Sequence, residues 1–388
     1  MTDTSANRAI DSRIDESNDA DENKFAPIAP VEAGDNLPTA NVDGTPPVRG
    51  HNDPRDDNRS RGNKQSRQQG QMRRDKRDVH GWVVLDKPIG MTSTQAVAVV
   101  KRLFQAKRAG HAGTLDPLAS GGLPIAMGEA TKTVPFVMDG RKRYRFTVTW
   151  GEERDTDDTE GKVTFSSEAR PTPEQIQALL PRFIGNIEQT PPQYSAIKIA
   201  GERAYDLARD GEIVPLVPRP VVIHDFVLVE QQDGGHSVFE AECGKGTYVR
   251  ALARDMGRLL GCYGHISALR RTLVGPFAEA DMIPLEQLEA LCDRAASGEG
   301  NLADALLPVE TALDDIPALA VTRADAARLH RGQAVLLRGR DAPDSSGTVY
   351  VTVAGRLLAL AEIANGELIP KRVFNLTGLT SSARKESN

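Results

Sequence analysis

The stretch GHAGTLDPLASG, residues 110–121, is not expected to continue one regular element, because three glycines and one proline interrupt any helix or strand there. Glycine adopts backbone angles that other residues resist. Pro117 fixes its own φ angle and moves the preceding residue, Asp116, away from the helical region. The chain must therefore bend sharply around a single carboxylate. Asp116 followed by Pro117 also fits the start of a helix, where aspartate caps the end and proline takes the first helical position.

Regular elements are predicted on both sides of this stretch. The apolar run GWVVLDKP predicts a buried strand, and Thr92 with Gln95 has the spacing of a capping box that opens a helix. The segments 219–231 and 236–244 alternate apolar and polar residues and predict neighbouring strands. Further patterns predict a strand at 143–151, a helix at 173–183, a helix from Val249 that ends at Gly261, and a strand at 265–277.

The chain divides into three predicted parts. Residues 1–79 are acidic up to Val48, and basic and glutamine-rich from Arg49. This segment buries too little apolar surface to offset the entropy of ordering, which predicts disorder. Strand and helix patterns fill 80–311. The last part, 312–388, consists of short strand patterns between glycine turns and predicts a small β domain.

Composition excludes several classes of protein. No apolar run approaches the roughly 20 residues of a transmembrane helix, and the acidic, polar start is unlike a signal peptide. Three cysteines, far apart and without a C-x-x-C pair, argue against a disulfide framework and a structural zinc site. These features predict a cytoplasmic protein that contacts no membrane. The sequence lacks nucleotide-binding glycine motifs and H-E-x-x-H, so it indicates neither a nucleotide cofactor nor a catalytic metal.

The net charge of −6 does not by itself indicate a nucleic-acid partner, because binding to a polyanion depends on lysine and arginine. Two basic stretches, 101–108 and 141–145, flank the region of Asp116 and are candidates for binding RNA phosphates. A charge run is usually a solvated face. From these residues alone, the two basic stretches could either bind RNA phosphates or simply face solvent.

Five blocks of sequence carry a family resemblance in a fixed order: GWVVLDKPIGMTS, GHAGTLDPLASGGLPIAMGEATK, KRYRFTVTWGEERDTDDTEG, QTPPQYSAIKIAGERAYDLARDGE and GTYVRALARDMGRLLGCYGHISALRRT. From about Gly81 through Phe277 they resemble the bacterial TruB family of tRNA pseudouridine synthases, which act on the T-loop uridine at tRNA position 55. The resemblance implies the pseudouridine synthase fold, an α/β (α+β) class with a mixed, mainly antiparallel sheet and flanking helices. It assigns 80–311 to the catalytic domain and 312–388 to a small PUA-like RNA-binding domain.

The resemblance also implies a reaction. Uracil is detached from the ribose at N1, turned, and rejoined through C5, without a cofactor. A carboxylate can act as covalent nucleophile in such a step, and Asp116 matches the family's catalytic aspartate. Arg250 matches the arginine that pairs with this aspartate, and a neighbouring cation favours the ionised carboxylate.

Four further residues match positions that bind the substrate in this family. A base must leave its stack before an enzyme can act on it. Tyr144 matches the tyrosine that stacks on the flipped uracil, and Tyr248 and Leu269 match residues that line the same pocket. His111 matches a histidine that enters the T loop beside the flipped nucleotide. Without the resemblance, Tyr144 and Leu269 would be ordinary core residues and His111 a hydrogen-bonded loop residue.

The implied partner is the T-arm stem-loop of tRNA, recognised by its shape, with no guide RNA, no protein partner and a monomeric enzyme. Three other functions stay open from the residues alone. A glycosidase would pair Asp116 with Asp155, Asp157 or Asp158, although the charge density of that acidic loop indicates solvation. A tRNA-binding or tRNA-folding module without catalysis, and a guide-RNA-dependent relative, are the other two.

Overall fold

The computed structural model describes residues 76–195, 198–199, 202–203, 215–337 and 346–381. Two sequence-based expectations lie outside these residues. One is the predicted disorder of the chain up to residue 75. The other concerns most of the fourth family-like block, between residues 196 and 214.

The described residues form six α-helices: α1 (Ser93–Leu103), α2 (Val134–Asp139), α3 (Pro173–Leu179), α4 (Val249–Leu259), α5 (Leu285–Ser297) and α6 (Arg323–His330). The predicted capping box is confirmed, because Thr92 accepts a hydrogen bond from the Gln95 amide and the Gln95 side chain bonds back to Thr92. The predicted helix at 173–183 is α3 followed by a 3₁₀ turn that reaches Phe183. None of these helices has the length and apolar character needed to cross a membrane.

The strands of the described residues are β1 (Gly81–Lys87), β2 (Ala109–His111), β3 (Ala119–Met127), β4 (Lys142–Trp150), β5 (Glu152–Arg154), β6 (Val163–Ser166), β7 (Gly185–Gln189), β8 (Lys198–Ile199), β9 (Glu202–Arg203), β10 (Arg219–Asp233), β11 (His236–Cys243), β12 (Gly264–Val274), β13 (Phe277–Ala278), β14 (Met282–Pro284), β15 (Ala318–Ala320), β16 (Val335–Leu336), β17 (Gly347–Val353), β18 (Arg356–Ala364) and β19 (Glu367–Val373).

Ten of these strands form one mixed sheet. Its main path runs β14-β1-β3-β12-β4-β11-β10-β7, with β2 added to β3 and β13 added to β12. Only the pairs β1–β14 and β3–β12 are parallel. The predicted mixed, mainly antiparallel sheet is therefore confirmed, as are β1 and the neighbouring antiparallel strands β10 and β11.

A second, five-stranded sheet in the order β15-β17-β18-β19-β16 confirms the small β domain near the end of the chain. It packs against the large sheet through one apolar cluster. Trp82 and Phe277 of the large sheet share this cluster with Leu360 of β18 and with Phe374. The exact domain boundary, placed between 311 and 312 from the sequence, stays a prediction.

Folded structure begins before residue 80. Val79 pairs with Leu379, close to the other end of the chain, and its side chain is buried. The His80 ring bonds the carbonyl oxygen of Thr377 at 2.6 Å. The end of the segment 1–79 is therefore ordered, against the expectation of disorder. A single valine within a charged stretch has no periodic pattern, so the sequence gives no local sign of this pairing.

Three neighbouring strands bring the candidate site together. In the parallel pair β3–β12, Leu269 lies opposite Ala119 and Arg271 lies opposite Gly121. On its other side, β12 pairs with β4, where Arg271 lies opposite Tyr144. The turn that precedes β3, which carries the aspartate singled out from the sequence, therefore lies beside the middle of β12 and the start of β4.

Candidate active site

Asp116 lies in the turn that joins β2 to β3. Its carbonyl oxygen accepts a hydrogen bond from the Ala119 amide at 3.0 Å, and the chain continues as a strand. No helix follows Asp116, so the interpretation of this residue as a helix cap is wrong. Its side chain is 42% exposed, and the carboxylate is therefore accessible to a ligand from solvent.

Hydrogen bonds from the first helix and the turn before it fix the backbone on both sides of Asp116. The Ser93 hydroxyl donates to the Leu115 carbonyl oxygen and accepts from the Leu115 amide, both at 2.9 Å. The Gly90 amide donates to the Pro117 carbonyl oxygen at 2.8 Å. Because the flanking peptide groups are bonded, the carboxylate has a defined position relative to α1.

Lys87 reaches the same turn from the end of β1, and its side chain is completely buried. Its Nζ donates to the carbonyl oxygens of Met91 (2.8 Å), Pro88 (2.9 Å) and Pro117 (3.4 Å). Burial lowers the pKa of the Lys87 amine to about 8, and the negative charge of Asp116 acts in the opposite direction. Lys87 is thus a buried cation that ties the Asp116 turn to the chain before α1.

Replacing Lys87 by methionine is expected to change how stability depends on pH. Between about pH 8 and pH 10.5 the unfolded wild-type chain binds the Lys87 proton and the folded chain does not. Wild-type stability should therefore rise with pH across this window relative to the variant, and below it the difference should be constant. Urea unfolding of both proteins at about pH 7, 9 and 10 measures this difference. Parallel curves would contradict the lowered pKa.

Arg250, in the first turn of α4, joins two carboxylates. Its Nη2 lies 3.0 Å from Asp116 Oδ2, and its Nη1 lies 3.3 Å from Asp158 Oδ2. Arg250 also donates to the carbonyl oxygens of Thr156 (2.8 Å) and Tyr194 (2.9 Å). A guanidinium has five N–H donors in one plane, so it can hold all four acceptors at once. The side chain that contacts Asp116 is therefore itself fixed on several sides.

The acidic loop that follows β5 is partly buried, contrary to the expected solvation. Three arginines at four-residue spacing lie on one face of α4 and pair with three carboxylates from β5 and this loop: Arg250–Asp158 (3.3 Å), Arg254–Asp157 (3.1 Å) and Arg258–Glu153 (2.7 Å). The partners are 92, 97 and 105 residues apart in sequence. The interpretation of the acidic residues missed these pairs, although the matched spacing of arginines on one helix face was a usable signal.

The two tyrosines lie close enough to Asp116 for its charge to act on their hydroxyl groups. Burial raises the pKa of Tyr144 and of Tyr248, and the negative charge of Asp116 raises both further. Both phenols therefore stay protonated at neutral pH. The backbone of Tyr248 is held by Gln189, whose amide side chain accepts from the Tyr248 N–H (2.8 Å) and donates to its carbonyl oxygen (3.1 Å).

A small cavity brings together Asp116, Arg250, Leu269 and Asp158. The tyrosines and His111 do not line it. Its volume of about 10 Å³ accommodates roughly one water molecule. A uracil ring is several times larger than this cavity, so a base would meet Asp116 at the exposed side of its carboxylate.

His111 lies in β2, opposite Ile125, and not in a loop. Among the described residues nothing bonds its Nδ1, which is buried. Burial lowers the pKa of the His111 ring, and the positive charge of Arg271 lowers it further. The interpretation of His111 as a hydrogen-bonded loop residue is therefore wrong for this ring nitrogen. A buried polar atom without a partner costs about 1–3 kcal/mol.

The second basic stretch, 141–145, is not a free phosphate-binding patch. Its three arginines pair with carboxylates on the neighbouring strand β11: Arg141 and Arg143 with Glu242 (2.9 and 2.6 Å) and Arg145 with Glu240 (3.3 Å). Lys142 is buried and donates to the carbonyl oxygens of Met138 and Gly140. A contact between this stretch and RNA phosphates would have to compete with these partners.

Comparison with protein families gives three consecutive matches. Residues 101–249 match the TruB family pseudouridylate synthase N-terminal domain, and residues 250–314 match the tRNA pseudouridylate synthase B C-terminal domain. Residues 317–374 match a further C-terminal domain, that of pseudouridine synthase II TruB. The chain is 84% identical over 341 residues to a tRNA pseudouridine synthase B of Rhodopseudomonas palustris, covering 87% of this chain and 92% of the relative. The chain belongs to the TruB family.

A second TruB relative, tRNA pseudouridine synthase B of Nitrobacter winogradskyi, is 76% identical over 383 residues. That match covers 99% of both chains, and therefore includes nearly all of the N-terminal segment. The corresponding enzyme of Bradyrhizobium diazoefficiens is 81% identical over 343 residues, which is 88% of this chain and 97% of the relative.

Solved structures similar to this TruB chain support its fold. An H/ACA RNP bound to a substrate RNA containing 2′-deoxyuridine gives a TM-score of 0.60 at 24% identity, over 76% of this chain and 85% of that one. A Cbf5-Nop10-Gar1 complex gives a TM-score of 0.59 at 25% identity, over 78% and 85%. These TM-scores support the pseudouridine synthase architecture. At such low sequence identity they do not assign partners to this chain.

The geometry of this TruB site narrows the glycosidase alternative to one residue. That mechanism needs a second free carboxylate near Asp116. Asp157 and Asp158 are each held in an ion pair with an arginine of α4, which leaves Asp155 as the candidate. In the part of the chain that the structure describes, no group of three His, Cys, Asp or Glu side chains is arranged to hold a metal ion.

Proposed function

We propose that this chain isomerises uridine to pseudouridine in tRNA, at position 55 of the T loop. It belongs to the TruB family, and three relatives that cover most of its length carry the name tRNA pseudouridine synthase B. The observation that carries the proposal is the ion pair between the exposed Asp116 carboxylate and the buried Arg250 guanidinium. This ion pair places an exposed carboxylate, which can act as a nucleophile, against a guanidinium that is fixed by its other partners.

In the proposed reaction, Asp116 is the covalent nucleophile that separates uracil from ribose. A nucleophile of this kind divides one difficult exchange into two easier steps. Atoms balance without a cofactor. The glycosidic bond to N1 breaks, Asp116 forms a transient bond to the sugar or the base, and that bond breaks again when C5 has joined the ribose, which restores the carboxylate. The proton lost from C5 is matched by one gained at N1. Arg250 pairs with the carboxylate at 3.0 Å and holds it beside the cavity that both residues share with Leu269.

The substrate base is proposed to reach Asp116 by flipping out of the T loop, which costs a few kcal/mol of stacking. The exposed side of the Asp116 carboxylate supports this approach, because it leaves the nucleophile open to a base that arrives from solvent. Tyr144 and Tyr248 would then contact the base as neutral phenols, with Tyr144 stacked on the ring. The unpaired Nδ1 of His111 supports its proposed place beside the flipped nucleotide, because an RNA group could supply the missing partner.

We further propose that the protein acts as a monomer in the cytoplasm, with 80–311 as catalytic domain and 312–388 as a PUA-like RNA-binding domain. No guide RNA or protein partner is required in this proposal. By their names, the two structural neighbours described above are an RNP and a complex of several proteins, so the requirement for partners is the point that an experiment must decide.

The test uses the purified chain alone with a T-arm transcript, followed by mapping of pseudouridine at single-nucleotide resolution. A transcript with cytidine in place of the target uridine is the matched control. Product at position 55 alone is the expected result. Product that forms only after guide RNA and partner proteins are added would overturn independent action. Tight binding without product would overturn catalysis and support the tRNA-binding alternative.

A further inference from the structure

Arg271, on β12, is a buried guanidinium that is only 2% exposed. It donates hydrogen bonds to three carbonyl oxygens. Its Nε bonds Gly122 at 2.9 Å, its Nη2 bonds Gly113 at 3.0 Å and its Nη1 approaches Thr114 at 3.4 Å. One rigid side chain therefore joins the segment before Asp116 to the segment after it.

Arg271 differs from the other buried arginines of the site in its lack of a carboxylate partner. Arg250 and Arg254 each pair with aspartates, whereas no ion pair forms between Arg271 and any carboxylate of the described residues. A buried charge without an opposite charge is expensive. Neutral carbonyls are weaker partners than carboxylates, so local stability alone does not account for an arginine at this position.

The backbone around Arg271 is packed too closely to shift without moving the turn. A Cβ atom at Gly121, where φ is +98°, would collide with the carbonyl oxygen of Arg271. Arg271 also contacts the Tyr144 hydroxyl, and its charge lowers the pKa of that phenol against the larger effect of burial. The same guanidinium therefore touches the Asp116 turn and the proposed stacking tyrosine.

We propose that Arg271 is a positioning residue, which fixes the backbone of 113–122 and the Tyr144 ring so that the Asp116 carboxylate faces the incoming base. This inference deepens the proposed isomerase function and rests on it. The guanidinium acts through the turn and does not touch the substrate. Lysine cannot replace it fully, because a single ammonium cannot bond both sides of the turn in the planar geometry of arginine.

The experiment compares Arg271→Met and Arg271→Lys with wild type on the T-arm transcript. We expect kcat to fall about 100-fold in Arg271→Met and about 10-fold in Arg271→Lys, with KM within about 3-fold, because a displacement near 1 Å has effects of this size. Lys142→Met is the matched control, since Lys142, on the adjacent strand, is another buried cation whose partners among the described residues are carbonyl oxygens. It should lose stability and keep kcat.

Hydrogen exchange provides a readout that does not need activity. The amides of 113–116 and of Leu118 should exchange faster in both Arg271 variants and at the wild-type rate in Lys142→Met. Unchanged exchange in the turn, or a kcat loss no larger than that of Lys142→Met, would overturn the proposal. If Arg271→Met fails to fold, Arg271→Lys alone decides, because it keeps the charge. An inactive wild type would refute the proposed isomerase function and leave the exchange result to decide the positioning role.

Discussion

The Asp116→Asn variant should bind tRNA like wild type and lose pseudouridine formation by about 10⁴-fold or more, because an amide cannot replace a carboxylate nucleophile. The fold should be unaffected. The Asp116 side chain is partly exposed, and Arg250 keeps Asp158 as its second carboxylate partner. Single-turnover product formation on the T-arm transcript measures the loss, and direct titration of the transcript measures binding.

Asp155→Asn is a suitable control for this experiment. Asp155 belongs to the same acidic loop as Asp158, but its carboxylate accepts a hydrogen bond from the Lys162 amide and makes no ion pair among the described residues. Its activity should stay within about 2-fold of wild type. Substantial activity in Asp116→Asn would contradict the nucleophile assignment. A large loss in Asp155→Asn would restore the case for a second essential carboxylate.

Arg250→Met should damage both stability and catalysis. Its loss leaves the Asp158 carboxylate buried without a counter-charge, which lowers the free energy of unfolding by about 3–5 kcal/mol. It also releases Asp116 from the only ion pair that this residue makes in the described structure, so kcat should fall by about 10³-fold. Urea unfolding and single-turnover kinetics on the same preparation measure the two effects.

A second substitution separates these two effects. In Arg250→Met with Asp158→Asn, the buried charge is gone, so most of the lost stability should return while kcat stays low. Arg254→Met, one helical turn away, should keep kcat within about 10-fold because Arg254 does not contact Asp116. Burial already raises the pKa of Asp157 to about 7, so that partner can take up a proton when Arg254 is lost. Recovery of kcat in the double variant would show that Arg250 has only a structural role.

Elements that depend on neighbouring residues could be predicted from the sequence. The strand at β1, the capping box at Thr92 and the antiparallel strands β10 and β11 follow from patterns within a few residues. The bend around Asp116 was predicted from its glycines and proline, because these residues restrict the backbone wherever they occur. The family resemblance supplied the mixed, mainly antiparallel character of the large sheet, which no local pattern determines.

Local sequence patterns could not predict which charged side chains are buried. The acidic run near Asp157 and Asp158 has the composition of a solvated loop, and only arginines about a hundred residues later bury it. Arg271, the second of two consecutive arginines, looks like a surface residue, yet it is inside the protein, where carbonyl oxygens of Gly113 and Gly122, about 150 residues earlier, accept its hydrogen bonds. Whether a charged residue meets such partners depends on tertiary contacts that a charge count does not contain.

The pairing of Val79 with Leu379 has a consequence for biosynthesis. Leu379 lies 300 residues after Val79 in the sequence, so the ribosome must synthesise this whole interval before the bridge can form. Until then Val79 and the His80 ring lack the backbone partners that Leu379 and Thr377 supply. A chain that stops before Thr377 would never supply them, and its loosened start of the folded region should be a target for quality-control proteases.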